Sequence, residues 1–169
     1  LRKIRQAQLG PLIGLILVIA IFSLLRPTTF LNWNNFEIML LQSAVVGMAA
    51  LGMTLVIISG GIDLSVGSTI SLCTVVVALL LQSGSPPLLA AVGGILAGSV
   101  CGLLTGSLVT RLRVTPFIVT LGMLGVIRGL SKGLASQQMV AAPPSWLNNL
   151  LTSLGPEDRW IMVPLGVWL

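Results

Sequence analysis

The chain has 169 residues; 8% are charged and 55% are hydrophobic, against roughly 25% charge in a typical soluble domain. With a mean hydropathy of +1.05, such a chain cannot cover its surface in water, and lipid is its natural solvent. The absence of His and Tyr, and a total of four acids (Glu37, Asp63, Glu157 and Asp158), exclude a His-based catalytic triad and a His-rich metal site.

The phosphate-binding loop signature of P-loop ATPases is also absent from the sequence. The net charge of +5 comes from nine basic residues scattered in ones and twos. That distribution argues against a nucleic-acid surface and suits a membrane protein with charged loop ends. Cys73 and Cys101 lie inside apolar runs and read as small buried residues, not a disulfide framework.

The first apolar run, 9–25, follows Arg2, Lys3 and Arg5. It reads as a retained span; a signal peptide would need a small-x-small cleavage site before Arg26, which is missing. Arg26-Pro27 ends it, because a residue before Pro is biased away from helical geometry. Asn32, Asn34 and Asn35 suggest a polar loop, with Trp33 at an interfacial position.

The second run, 38–59, is uncharged, and Ser43, Gly47 and Ala50 give it a small-residue side. The third is 66–82, closed by Gly84-Ser85-Pro86-Pro87. The fourth is 88–110, closed by Arg111 and Arg113. The fifth is 114–130, with Arg128 near its end, where it can snorkel.

The stretch 131–159 is polar and broken by Pro143, Pro144 and Pro156. Within it, 145–154 has Trp146, Leu147, Leu150 and Leu151 on one side, as a surface helix would. A sixth run starts at Trp160 and reaches Leu169, too short to cross, so the chain reads as part of a longer protein. The expected fold is an all-α polytopic transmembrane bundle: a single transmembrane domain with five complete spans and the start of a sixth. Basic residues before the first span favour a cytoplasmic N-terminus, which puts Asp63 and the Arg111/Arg113 pair inside and 131–159 outside the cytoplasm.

Two features stand out. Ser59–Ser68 reads SGGIDLSVGS and interrupts apolar sequence only briefly. Gly60 and Gly61 permit unusual backbone angles. Asp63 and Ser65 are natural N-caps for the run that follows. One reading is a tight turn with a capped helix start. The other is a broken or re-entrant element on a polar path, since non-helical backbone at membrane depth survives only where protein or water satisfies it. Asp63 is the sole acid between Glu37 and Glu157, and at depth it is a functional candidate.

The second feature is the every-fourth series Gly94, Gly98, Gly102 and Gly106. Its drift suits a right-handed helix crossing with close backbones, or the smooth wall of a solute path. Gly122, Gly125 and Gly129 again suggest packing. Thr115-Pro116 marks an early helix position.

SGGIDLSVGS, preceded by GMTLVI at Gly52–Ile57, resembles the permease subunits of bacterial ABC importers for monosaccharides: the ribose, xylose, arabinose and galactoside group, with the autoinducer-2 permeases. FLNWNNF at Phe30–Phe36, the glycine-rich fourth span and VTPFIVTLGMLGVIRGL at Val114–Leu130 agree. The resemblance covers the chain from about Pro27 to Leu169, and the first span matches only in being apolar.

It implies a multi-pass inner-membrane subunit that supplies the route for a sugar. A periplasmic binding protein would deliver the sugar. A separate cytoplasmic ATP-binding-cassette ATPase would hold the ATP and power transport. A second permease copy would complete the path. No catalytic residue, metal or cofactor is expected in this chain. Family members run to about twice this length, and the ATPase-coupling loop would lie beyond Leu169.

The segment Gly60, Gly61, Asp63, Ser65, Gly67 and Ser68 is the candidate gate or inner end of the path. Two rival readings remain open. An ion- or proton-coupled secondary transporter would use Asp63 as its coupling acid. A non-transporting scaffold would use the glycine stripes alone.

Overall fold

The computed structural model describes the backbone of residues 2–146 and the side chains of residues 10–146. Every regular element among the described residues is helical. They fall into two compact units, one ending at Ala44 and the other beginning at Val45.

In the first unit, α1 (Arg2–Leu25) stops at Arg26, whose φ of −143° and ψ of 63° are not helical. Pro27 then opens the single turn α2 (Pro27–Phe30), as expected for Pro at a first helical position. The rings of Phe22 and Phe30 stack across this break at 5.7 Å. α3 (Trp33–Ile58) starts earlier than the sequence suggested. The three asparagines are not a loop: Asn32 caps the helix, its Oδ1 accepting the Asn34 N–H at 3.1 Å, and the other two lie in the first turn. Glu37 is thereby inside α3 and buried.

In the second unit, α4 (Val66–Gln82) lies between α5 (Pro87–Leu112) and α6 (Pro116–Leu134). α4 and α5 run antiparallel. A Cβ built on Gly93 would strike Leu80, one on Gly94 would meet Val77, and one on Gly98 would meet Cys73, so the numbering runs in opposite senses. α4 and α6 run parallel, joined by Ser68 to Leu124 and by Ser71 to Ser131. Leu72, Cys101 and Ile127, one from each helix, form the core, flanked by Val76 and Met123. Both cysteines are free thiols.

The helix ends share one device. α4 closes with Gly84 at φ +81°, where the Gly84 N–H bonds Leu81 O at 3.1 Å and the Ser85 N–H bonds Leu80 O at 3.0 Å. This is a Schellman closure, which needs a left-handed residue. α6 ends the same way without glycine: Ser136 and Gln137 take φ of 50° and 58°, and bond Gly133 O and Lys132 O. α6 thus continues past Leu130, through the start of the stretch expected to be broken.

α3, α5 and α6 have 26, 26 and 19 residues and are long and apolar enough to cross a membrane. At 1.5 Å per residue they reach about 39, 39 and 28 Å. α4, with 17 residues, reaches only about 25 Å, short of a hydrocarbon core of about 30 Å; the apolar part of α1, Gly10–Leu25, is also shorter. The sixth run and most of the proposed surface helix at 145–154 lie outside the described residues.

Candidate functional site

The segment between α3 and α4 is held together by its own backbone. Gly60 has φ +79°; its N–H bonds Ile57 O at 2.9 Å, and the Gly61 N–H bonds Val56 O at 2.9 Å. This pair is again a Schellman closure, and it explains why glycine follows Ser59. Residues 61–65 are then non-helical.

Asp63 turns the chain into α4. Its Oδ1 accepts the Ser65 N–H at 2.7 Å and the Ser65 hydroxyl at 2.6 Å. Ser65 occupies the N-cap position, but its side chain accepts no N–H of the first turn and instead donates its hydroxyl to Asp63. The turn is an Asx turn, and its carboxylate lies at the favourable end of the α4 dipole. Both bonds use Oδ1, so Oδ2 retains its acceptor capacity.

Two carbonyls of this break, Ile62 O and Ser65 O, are also matched. Thr120, buried on α6, has its hydroxyl 3.2 Å from Ile62 O and 3.3 Å from Phe117 O and shares its hydrogen between them. Ser65 O accepts the Thr69 N–H at 2.9 Å and the Thr69 hydroxyl at 3.1 Å. Among the described residues every buried side-chain polar atom has a partner.

The break sits inboard of the arginine-bearing end of the α5–α6 pair. Thr69 and Gly102 line one pocket and α5 runs antiparallel, so Ser65 is level with about residue 105 or 106. α5 continues to Leu112, about six residues or roughly 9 Å further. On the other side, Thr120 meets Ile62 four residues into α6, about 6 Å from its start.

A pocket of about 300 Å³ opens here. Asp63, Ser65 and Thr69 form its polar wall. Met48, Ala49, Gly52, Met53 and Val56 of α3 form its apolar wall, and Gly98 and Gly102 of α5 lie on a third side. Its lining contains no Lys or Arg. A larger apolar groove between α4 and α5 has hydroxyls too, but Thr74 and Ser99 donate theirs to their own helices at Ile70 O and Ile95 O.

Of the residues singled out from sequence, the pocket gathers Asp63 and Ser65, together with two of the glycine series. Gly60 and Gly61 form the closure of α3. Gly67 has open space around it. Ser68 points to α6, donating to Leu124 O at 3.1 Å. In the glycine series, a Cβ on Gly94 would stand 2.7 Å from Val77 Cγ2, and one on Gly98 would stand 3.1 Å from Cys73 Sγ. Gly102, Gly106, Gly122, Gly125 and Gly129 have nothing within 4 Å at that position.

Sequence reasoning missed Thr69, Met48 and Met53, which carry no local signal. It also missed Gly93, which falls outside the every-fourth series yet meets Leu80 directly.

Comparisons with known proteins agree on one family. Residues 35–154 match the family model described as branched-chain amino acid transport system / permease component. The ribose import permease protein of Bacillus subtilis (strain 168) is 44% identical over 124 residues, covering 73% of this chain and 38% of that protein. The D-allose transport system permease protein of Escherichia coli (strain K12) is 39% identical over 123 residues, covering 72% and 38%. The fructose import permease protein of Rhizobium meliloti is 38% identical over 118 residues, covering 69% and 33%. The chain thus spans less than two fifths of the length of these relatives. No solved structure matches it. On a match that takes in all but the first two residues of α3, all of α4 to α6 and the whole Ser59–Ser68 segment, this chain belongs to the family of branched-chain amino acid transport system permease components.

Proposed function

We propose that this chain is the N-terminal part of the permease subunit of a bacterial ABC importer, and that the Asp63 pocket lies on the route of a monosaccharide. One observation carries the solute class: the pocket pairs a short polar wall with a flexible apolar wall and has no cation in its lining. A branched-chain amino acid would bring a carboxylate that finds no positive partner there. A sugar brings hydroxyls for Asp63 and Thr69 and a C–H face for the methionines. The relatives named for ribose, allose and fructose support the same class.

In this reading five helices cross the inner membrane, with the N-terminus cytoplasmic. α4 crosses together with the non-helical residues 61–65, which make up its missing length. Gly60, Gly61, Asp63, Ser65, Gly67 and Ser68 shape the gate. Gly122, Gly125 and Gly129 meet the rest of the permease or a second copy, where their missing side chains allow close approach. A periplasmic sugar-binding protein loads the path. A cytoplasmic ATPase subunit binds ATP and switches it between states, each favoured only by differential contacts.

A second reading, an ion-coupled transporter, draws on Asp63 beside a helix break. Reconstitution of the full-length protein in liposomes with its ATPase and binding protein separates the two. The proposal predicts uptake of a labelled pentose or hexose that needs ATP and the binding protein. Uptake driven by a proton or sodium gradient without ATP would overturn it.

A further inference from the structure

Three helices of the second unit form one block. α4 packs against α5 and α6, and α5 against α6. α6 is bonded to the first two turns of α4 by Ser68 to Leu124 O at 3.1 Å and Ser71 to Ser131 at 3.0 Å, and Thr120 of α6 also holds the segment just before α4, at Ile62 O, at 3.2 Å. Two bonds between parallel helices, with a third to the segment that leads into one of them, resist sliding as well as separation.

The stretch of α3 from Val45 to Ile58 behaves differently. Among the described residues it packs closely against none of the three, and the 300 Å³ pocket is the gap between them. Its pocket wall falls on one helical face, at spacings of three, four and seven residues. Gly52 on that face and Gly102 across the gap both have nothing within 4 Å at the Cβ position. Two glycines facing an open gap allow the backbones to come together. Met48 and Met53 can repack as they do, because thioether side chains are unbranched and flexible.

The connection to the block is short. Gly60 and Gly61 are bonded back to α3 itself, whereas Ile62 is bonded to α6. The chain therefore changes allegiance between Gly61 and Ile62, next to a residue at φ +79°. A few terminal residues that absorb backbone rotation are what a hinge requires.

We propose that residues Val45–Ile58 of α3 are the moving wall of the pocket. They swing about Gly60–Gly61 against a fixed α4–α5–α6 block. The pocket is open in the present structure, and it collapses when Gly52 reaches Gly102, expelling its contents. This rests on the permease reading, which it deepens by naming the part that moves and the part that does not.

The test uses the full-length permease complex with Cys73 and Cys101 replaced by Ala. One variant carries Gly52→Cys with Gly102→Cys; a control carries Ser71→Cys with Ser131→Cys. Disulfide formation is read on gels with and without ATP, and sugar uptake is read before and after oxidation. The expected result is a 52–102 disulfide whose rate changes at least fivefold with ATP, and uptake that falls at least tenfold on oxidation and recovers with reductant. The 71–131 pair should oxidise equally in all states and leave uptake intact.

A 52–102 pair that never oxidises, or oxidises without loss of uptake, overturns the proposal. So does a 71–131 disulfide that blocks uptake. If no variant or parent takes up sugar, the permease reading fails instead, and the state dependence of the two disulfides still decides which helix moves.

Discussion

Replacing Gly94 by Ala puts a methyl group where the structure has no room for one. The new Cβ would stand 2.7 Å from Val77 Cγ2 and 3.6 Å from the Cys73 carbonyl oxygen. Carbon atoms rest about 3.5–4.0 Å apart, so the overlap is near 1 Å. Valine in a helix is held to one χ1 rotamer, so Val77 cannot easily turn away and the helices must part. Overpacking of this kind costs about 1–3 kcal/mol, while the Gly-to-Ala change itself recovers about 1 kcal/mol of helix propensity. The net expectation is a loss of up to about 2 kcal/mol.

The same substitution along the stripe should change sign. At Gly98 the neighbour is Cys73 Sγ at 3.1 Å, which can rotate, so Gly98→Ala should be near neutral. At Gly102 and Gly106 nothing lies within 4 Å, so Ala should stabilise by up to about 1 kcal/mol. Chemical unfolding of the full-length protein in detergent micelles, followed by tryptophan fluorescence, reads all four. Equal effects at the four positions, or a gain at Gly94, would refute the packing argument.

Three further substitutions separate the roles of the break. Asp63→Asn keeps an Oδ1 that accepts from Ser65, so stability should hold within about 1 kcal/mol, while ATP-driven uptake falls at least tenfold; unchanged uptake would reduce Asp63 to a turn residue. Gly60→Ala forces a left-handed angle on a side chain and should cost about 1–2 kcal/mol by strain alone, since no atom lies within 4 Å of the new methyl; an unchanged unfolding midpoint contradicts the closure. Thr120→Val removes the donor to Ile62 O and should cost about 1–3 kcal/mol, with Thr120→Ser restoring most of it; equal losses in both would mean the methyl, not the hydroxyl, is what matters.

Long uncharged runs revealed α4 and α5 almost to the residue, because the ends of the runs coincide there with Pro, Gly or Arg punctuation. The start of α3 was hidden because three asparagines look like a loop, and only geometry shows that Asn32 is a cap. The end of α6 was hidden for the opposite reason: Ser136 and Gln137 take the left-handed angles that a sequence reader assigns to glycine. Asp63 was visible as a lone acid in apolar sequence. Ser65 was visible too, but as a cap, whereas its hydroxyl donates to Asp63 and bonds no N–H of the first turn.

The apolar wall of the pocket was invisible in principle. α3 is hydrophobic on every side, so no pattern marks Met48, Gly52 or Met53 as the face that meets Thr69. Among the glycines, only the neighbours across the gap distinguish Gly94, pressed on Val77, from Gly102, which lines open space.

The central claim is that the solute passes through the Asp63 pocket. Thr69→Cys in the full-length protein, with Cys73 and Cys101 replaced by Ala, tests it with a small hydrophilic thiol reagent. The account predicts that Cys at position 69 reacts from the aqueous phase, that its reaction rate changes when the sugar-loaded binding protein and ATP are supplied, and that modification stops uptake. A thiol at 69 that stays unmodified in every state, or is modified with uptake intact, would contradict it.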